Sequence, residues 1–215
     1  MVWVVHECRG RVGELHALDL PLERRSAWIY ELAGPAVSLG SSQPAADIDR
    51  TAVDAAGLEC SRRRTGGGAV LLLPGECRWV DVVIPSGDPL WDDDVGRAFW
   101  WVGEVWRSAL SDFGVAAEVH RGRPEWRSLG AVACFAGIGS GEVVASGSKA
   151  VGVSQRRTRG GARFQCIIHA RWEPSALLGL VAQERRTPEL ADRLQRVAAF
   201  PNVDAIVERF VSLLP

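Results

Sequence analysis

The sequence predicts an α+β fold, a mixed β-sheet with flanking helices followed by a helical C-terminal segment. Three observations carry this. Short aliphatic and β-branched runs bounded by glycine and proline recur through residues 1–173. Asp92 to Leu110 interrupts them with apolar residues at helical spacing. From Pro174 the pattern is helical to the end. With no repeat or low-complexity linker, residues 1–173 read as one domain and 174–215 as a helical segment packed on it.

In chain order, Val2 to Val5 reads as a short β segment, and Leu15 to Leu32 has helical spacing interrupted at Pro21. Ala36 to Leu39 is a strand ended by Gly40, Ile48 to Leu58 a short helix, and Leu58 to Arg64 a strand that enters three consecutive glycines. Val70 to Leu73 and Trp79 to Ile84 are strands joined by a Pro74-Gly75 turn. Asp92 to Leu110 is the clearest helix. Its first turn is acidic, which suits the helix dipole, and Val95, Phe99, Val102, Val105, Trp106 and Leu110 form its apolar face. Ala131–Phe135, Val143–Ala145, Ala150–Val153 and Phe164–His169 then read as a β meander. Thr187 is placed to cap a helix with Pro188 in its first turn, and Asn202 to begin the last helix.

The bulk composition excludes several function classes. The chain has 215 residues, 47% hydrophobic and 24% charged, enough to bury a core. A net charge of −1 gives no global attraction to nucleic acid. The cysteines Cys8, Cys60, Cys77, Cys134 and Cys166 are odd in number and scattered, which suggests a reducing compartment and no structural zinc site. No apolar run is long enough to span a bilayer, and the N-terminus does not read as a signal peptide. The expectation is a soluble cytoplasmic protein without a metal, a nucleic-acid partner or a membrane partner.

Of 25 basic residues, 24 are arginine and one, Lys149, is lysine. A genomic bias toward arginine explains the ratio. Under such a bias, a retained lysine points to something arginine does not supply: a compact charge whose proton affinity is tunable.

Arg62-Arg63-Arg64-Thr65-Gly66-Gly67-Gly68-Ala69-Val70 is the most informative stretch. Three glycines let a backbone approach a ligand closely, and their amides can donate to anionic oxygens. Arginine forks suit carboxylate or phosphate. The spacing is neither that of a Walker loop nor GxGxxG. On these residues alone, a ligand loop and a flexible turn flanked by exposed charge stand level.

The stretch resembles the RRxTGGGAV signature on the lipoate side of the biotin/lipoate protein ligase superfamily. Upstream, Pro35-Ala-Val-Ser-Leu-Gly40-Ser-Ser-Gln43 is similar to the strand and glycine-x-x-glutamine pattern before that loop. Downstream, Gly147 to Arg157 resembles the family's G-x-K-x-x-G-x-[AS]-Q-R segment, with the only lysine on the motif's lysine and Gly152 on its second glycine. The resemblance implies a lipoate ligase-like catalytic domain with an acyl tunnel under the glycine loop. It also implies attachment of a lipoyl or octanoyl group to a lysine of a lipoyl domain or a glycine-cleavage H-type carrier protein. Arg63, Arg64, Thr65, Gly66, Gly67, Gly68, Ala69 and Gly152 are then the acyl- or adenylate-binding residues. Lys149 is the cation beside the reacting carbonyl.

Two mechanisms fit. A ligase makes an acyl-adenylate from lipoate, ATP and magnesium. A transferase carries the acyl group on its own cysteine, with acyl carrier protein as a possible donor and no tightly bound cofactor. Cys134, fifteen residues before Lys149 in Ala133-Cys134-Phe135, matches the cysteine-dependent transferases. A neighbouring cation favours thiolate; a buried strand cysteine is the plainer alternative.

Three departures from the ligase pattern favour thioester transfer, the first being that residues 174–215 are too few for the C-terminal accessory domain many ligases carry. Ala136-Gly137-Ile138-Gly139 replaces an Asn-Asp pair, and Leu71-Leu72-Leu73 replaces a His-Asp. Against it, Gln165-Cys166-Ile167 stands where a His-Gly pair is usual. A non-catalytic module that keeps the acyl or adenylate pocket is the third reading. A biotin-type ligase fits less well, because its glycine-arginine loop is absent. His169 reads as a strand residue, Asp81 as either an orienting or a solvated strand residue, and Asp92-Asp93-Asp94 as a helix start.

Overall fold

The computed structural model describes residues 2–215. Its strands are β1 (Val4–Gly10), β2 (Ser26–Leu32), β3 (Ala36–Leu39), β4 (Glu59–Arg62), β5 (Val70–Leu72), β6 (Cys77–Pro85), β7 (Ala117–Val119), β8 (Val143–Ala145), β9 (Ser148–Arg157) and β10 (Gly161–His169). The helices are α1 (Val12–Ala17), α2 (Arg50–Ala55), α3 (Trp100–Ser111), α4 (Arg127–Val132), α5 (Pro174–Leu178), α6 (Pro188–Leu194) and α7 (Val203–Ser212). A seven-stranded sheet runs β1-β2-β6-β10-β9-β8-β7, and a three-stranded sheet runs β4-β3-β5. Both are mixed: β1 and β2 pair in parallel, as do β3 and β4, and their other pairings are antiparallel.

Burial explains the layering. The central strands β6 and β10 are buried on both faces, as a sheet covered on both sides requires. One face is largely apolar, and the other carries Asp81, Arg163, Gln165 and His169. α3 and α7 cover the large sheet, with Trp106 stacked on Phe210 at 3.8 Å between ring centres. α5 and α6 bury Leu177, Leu190 and Leu194 against Val37, Leu39 and Leu71 of the small sheet. A third cluster, with Leu15, Tyr30, Leu72, Trp79 and Phe135, fills the seam between the sheets. The site lies on this seam. Among the described residues, no helix is long and apolar enough to cross a membrane.

Several elements differ from the sequence reading. Ala131–Phe135 is not a strand: it is the end of α4 and a 3-10 turn, Cys134–Ala136. Gly130 and Gly137 allow this reversal, since a Cβ on Gly130 would lie 3.0 Å from the Gly137 Cα. Leu15–Leu32 divides at Pro21, with α1 before it and β2 after. The Pro74-Gly75 turn forms, with Gly75 at φ +77°, but its two strands belong to different sheets. The helix expected from Asp92 begins at Arg97 as a 3-10 turn. Asp92 instead pairs with Arg97, and Asp94 accepts from the Gly96 and Arg97 amides at 2.8 and 3.1 Å. Thr187 does cap α6, accepting from the Leu190 amide at 3.1 Å, whereas Asn202 makes no side-chain cap on α7.

Candidate active site

The glycine loop is fastened to the turn that carries Cys134. The Gly68 amide donates to Gly130 O, the Ala69 amide to Val132 O and the Cys134 amide to Ala69 O, each at 2.9 Å. No side chain fits at position 68, where a Cβ would come within 2.6 Å of Ala133 N and Gly130 O. Two expected donors, the Gly68 and Ala69 amides, are therefore already used. Those of Gly66 and Gly67 have no protein acceptor among the described residues. Gly67 sits at φ +94°, and a Cβ there would lie 3.4 Å from Cys134 Sγ and 3.0 Å from Arg63 Nη2.

The three arginines separate. Arg62 is exposed and donates to Gly40 O and Gln43 O at 2.6 and 2.7 Å. Arg63 is buried, and its guanidinium donates to Ser38 O, Gly66 O and Gly68 O at 2.9, 2.7 and 2.8 Å. Arg64 turns to the surface and pairs with Asp19 at 2.6 Å, lining neither of the cavities described below. A free guanidinium is better hydrated outside than in this apolar seam, so the loop has room for one buried arginine. Thr65 is buried, donating to Gln165 Oε1 at 2.8 Å and accepting from Ser154 Oγ at 3.0 Å.

Lys149 is 1% exposed. Its Nζ lies 2.7 Å from Glu142 Oε2 and donates to Cys134 O and Gly137 O at 2.9 and 3.1 Å. The lysine thus meets Cys134 through the backbone carbonyl. Glu142 also accepts from the Gly139 and Val153 amides at 2.6 and 3.2 Å, which ties the cysteine turn to β9. Gly152 makes room for this arrangement, because a Cβ there would lie 2.9 Å from the Phe135 ring and 3.3 Å from Lys149 Cε.

Cys134 is half-buried and, with Val153 and Ser154, lines two adjoining spaces. One is a narrow, mostly apolar pocket of about 30 Å³, bounded by Val70, Leu72, Trp79, Phe135, Val153 and Ile167. The other is a wide, open cleft whose walls include Gly66, Gly67, Arg127, Gln155 and Arg185. Gln155 lines the cleft with both amide atoms buried and unpartnered.

A family model described as the lipoyl protein ligase A/B catalytic domain matches residues 16–211. The chain belongs to that family. Members of the lipoyl protein ligase A/B family transfer or ligate lipoyl- or octanoyl-type groups, which makes this an acyl-transferring enzyme family. One relative, the octanoyltransferase LipM of an Exiguobacterium species, is 27% identical over 197 residues, covering 83% of this chain and 71% of its own. Solved structures share the fold. A bipartite lipoate protein ligase from Thermoplasma acidophilum, studied with its E2 lipoyl domain, superposes with TM-score 0.78 at 16% identity, over 99% of this chain and 82% of its own. A lipoate-protein ligase A bound with ATP gives 0.74 at 18% identity, over 98% and 82%.

Of the expected residues, Gly67 and Arg63 adjoin the Cys134 sulfur, Lys149 holds the Cys134 carbonyl with Gly152 making room for it, Gly66 lines the cleft, and Gly68, Ala69 and Thr65 brace the loop. Arg64 stands apart. The sequence reading missed Glu142, although a single lysine buried in a protein interior requires a carboxylate close by. It also missed His16, which accepts or donates to Ser38 Oγ at 2.8 Å and packs on Trp79 at the narrow pocket. Burial, with the charges of Arg63 and Arg163, lowers His16 to about 3. Asp81 is fully buried and binds Arg163 of β10, Tyr30 and Trp79 rather than a loop arginine. Burial pushes its carboxyl up, against the pull of Arg163. His169, packed between Phe135 and Trp172, is lowered to about 3 by burial and by Lys149.

Proposed function

We propose that this chain transfers an octanoyl- or lipoyl-type acyl group to the lysine of a lipoyl carrier domain through a thioester on Cys134. The observation that carries the reading is the place of Cys134, which lines both a narrow apolar pocket and a wide cleft, with its sulfur beside Gly67. The apolar walls of the pocket suit an acyl chain, which would have to widen it, and the cleft suits approach of a carrier arm. Likeness to an octanoyltransferase supports the same route.

In the first step, the Cys134 sulfur bonds to the acyl carbon of a donor thioester. The donor's carbon–sulfur bond breaks, and the thiol proton ends on the departing thiol. In the second, the carrier lysine's amine attacks that carbon, the bond to Cys134 breaks, and a proton from the amine returns to the sulfur. An acyl carrier protein, which holds its acyl group as a thioester, would serve as donor. A lipoyl domain or an H-type protein would accept. Lys149 with Glu142 holds the turn from which Cys134 projects.

The second reading is an ATP- and magnesium-dependent ligase, in which the Gly66 and Gly67 amides would face an adenylate phosphate. That reading has no use for the Cys134 sulfur. Cys134→Ala separates the two: thioester transfer loses all acyl-transfer activity, whereas a ligase keeps it.

A further inference from the structure

The narrow pocket beside Cys134 runs across the large sheet. Gly152 of β9 lies opposite Ile167 of β10, and Ile167 lies opposite Trp79 of β6, so the three form one row along its wall. Cys134, Val153 and Ser154, which the pocket shares with the cleft, mark its open end on the β9 side. Two strand spacings, about 10 Å, separate β9 from β6. There the pocket meets His16 of α1, whose ring packs on Trp79 with centres 4.4 Å apart. An extended hydrocarbon advances about 1.25 Å per bond, from single bonds of about 1.5 Å and angles of about 111°. A chain of about eight carbons held on Cys134 therefore brings its last carbons to Trp79 and His16.

His16 differs from the rest of the lining. The other polar side chains there, the Cys134 thiol aside, each have a protein partner. Ser154 and Gln165 join through Thr65, Arg63 donates to three carbonyls, and Ser38 Oγ lies 2.8 Å from His16 Nε2. The second ring nitrogen, Nδ1, is fully buried with no partner. Among the described residues it is the only such side-chain atom on the pocket's walls. Burial, with Arg63 and Arg163, keeps the ring neutral. Nδ1 is then a donor or an acceptor, according to which way the Ser38 hydroxyl points. A saturated chain end seals that atom in without a partner, whereas an end bearing oxygen or sulfur pairs with it.

We propose that His16 reads the far end of the acyl chain, so that the pocket favours a medium-length chain with an oxygen or sulfur substituent there over a saturated chain of equal length. This rests on acyl transfer through Cys134 and names the acyl class that the site takes. His16 lies two strands from the open end and takes no part in making or breaking bonds. Octanoyl transfer still proceeds, with Nδ1 left unpaired.

The test is a competition between 8-hydroxyoctanoyl and nonanoyl thioesters of one carrier protein, chains that differ only by hydroxyl against methyl at the end. Both are supplied in equal excess, and early Cys134 adducts are counted by mass spectrometry of the peptide that carries the cysteine. Their ratio equals the ratio of the two specificity constants and does not depend on how much of a variant is folded. The unaltered protein should give the hydroxylated adduct in at least about tenfold excess, and His16→Leu should reverse the order. Equal adducts or a nonanoyl excess in the unaltered protein overturn the proposal, whether or not the variant folds. An unreversed order in His16→Leu overturns it too. A lipoyl thioester as third donor separates the two substituents: lipoyl ahead of nonanoyl assigns the pocket to a sulfur-bearing end, and lipoyl behind it to a hydroxyl-bearing one. No adduct from any of the three refutes the thioester reading itself.

Discussion

Lys149 and Glu142 form a buried ion pair, 2.7 Å from Nζ to Oε2, directly under the turn that presents Cys134. Each end is also hydrogen-bonded to backbone, so the pair joins β9, the Gly137–Gly139 segment and the cysteine turn. Removing one partner leaves an uncompensated charge in the interior. Lys149→Met should therefore lower unfolding free energy by about 3–5 kcal/mol. Glu142→Gln combined with Lys149→Met should recover more than half of that loss, measured by urea denaturation. Equal losses in the single and double variants would show that the pair's charge balance is not what holds the turn.

The adjoining glycines of the loop should respond very differently to the same added methyl group. Gly67→Ala places a Cβ at φ +94°, 3.4 Å from the Cys134 sulfur and 3.0 Å from Arg63 Nη2. We expect acyl transfer to fall at least about tenfold, with a stability loss of about 1–2 kcal/mol. Gly66→Ala meets nothing within 4 Å and should keep transfer within about threefold of wild type. Parallel assays of the two variants check this, and equal activities would remove Gly67 from the reacting space.

His16 and His169 are both held neutral, each lowered from 6.5 to about 3, chiefly by burial. The unfolded chain binds these protons near pH 6.5 and the folded chain does not, so stability is intact above that value and falls as pH drops toward 3. The slope is about 1.4 kcal/mol per pH unit for each histidine. His169→Leu removes one titrating group and keeps an apolar side chain between Phe135 and Trp172. Urea midpoints at about pH 5 and about pH 7 should then lie closer together than in wild type, by roughly 2 kcal/mol in free energy. An unchanged gap would mean that His169 takes up its proton in the folded state.

Much of this arrangement was legible because local chemistry and tertiary context agreed. The run of strands, the Gly66-Gly67-Gly68 crossing, the Thr187 cap and the resemblance around Lys149 each carry their information in adjacent residues. Ala131–Phe135 failed for a tertiary reason. Its small apolar residues suit a strand locally, but Gly130 against Gly137 and the bonds to Gly68 and Ala69 fold them into a helix end and a tight turn. Asp92–Asp94 failed because short carboxylates stabilise turns as readily as helix starts. The division of labour among Arg62, Arg63 and Arg64 was out of reach, since which of three adjacent arginines is buried depends on strand register. Glu142 was hidden because its partner is seven residues away and on another element.

The central claim is that an acyl group rests on Cys134 during transfer. The most direct measurement is intact-protein mass spectrometry after mixing with octanoyl-carrier protein, or with lipoate and Mg-ATP, each with and without a lipoyl domain. The account predicts a single acyl adduct from the carrier thioester that hydroxylamine removes, that Cys134→Ala lacks, and that a lipoyl domain discharges. A lipoyl domain modified only with lipoate and ATP, with no adduct on the enzyme, would contradict it and make the chain a ligase. Modification under neither condition would contradict it as well, and leave a module that binds acyl groups without transferring them.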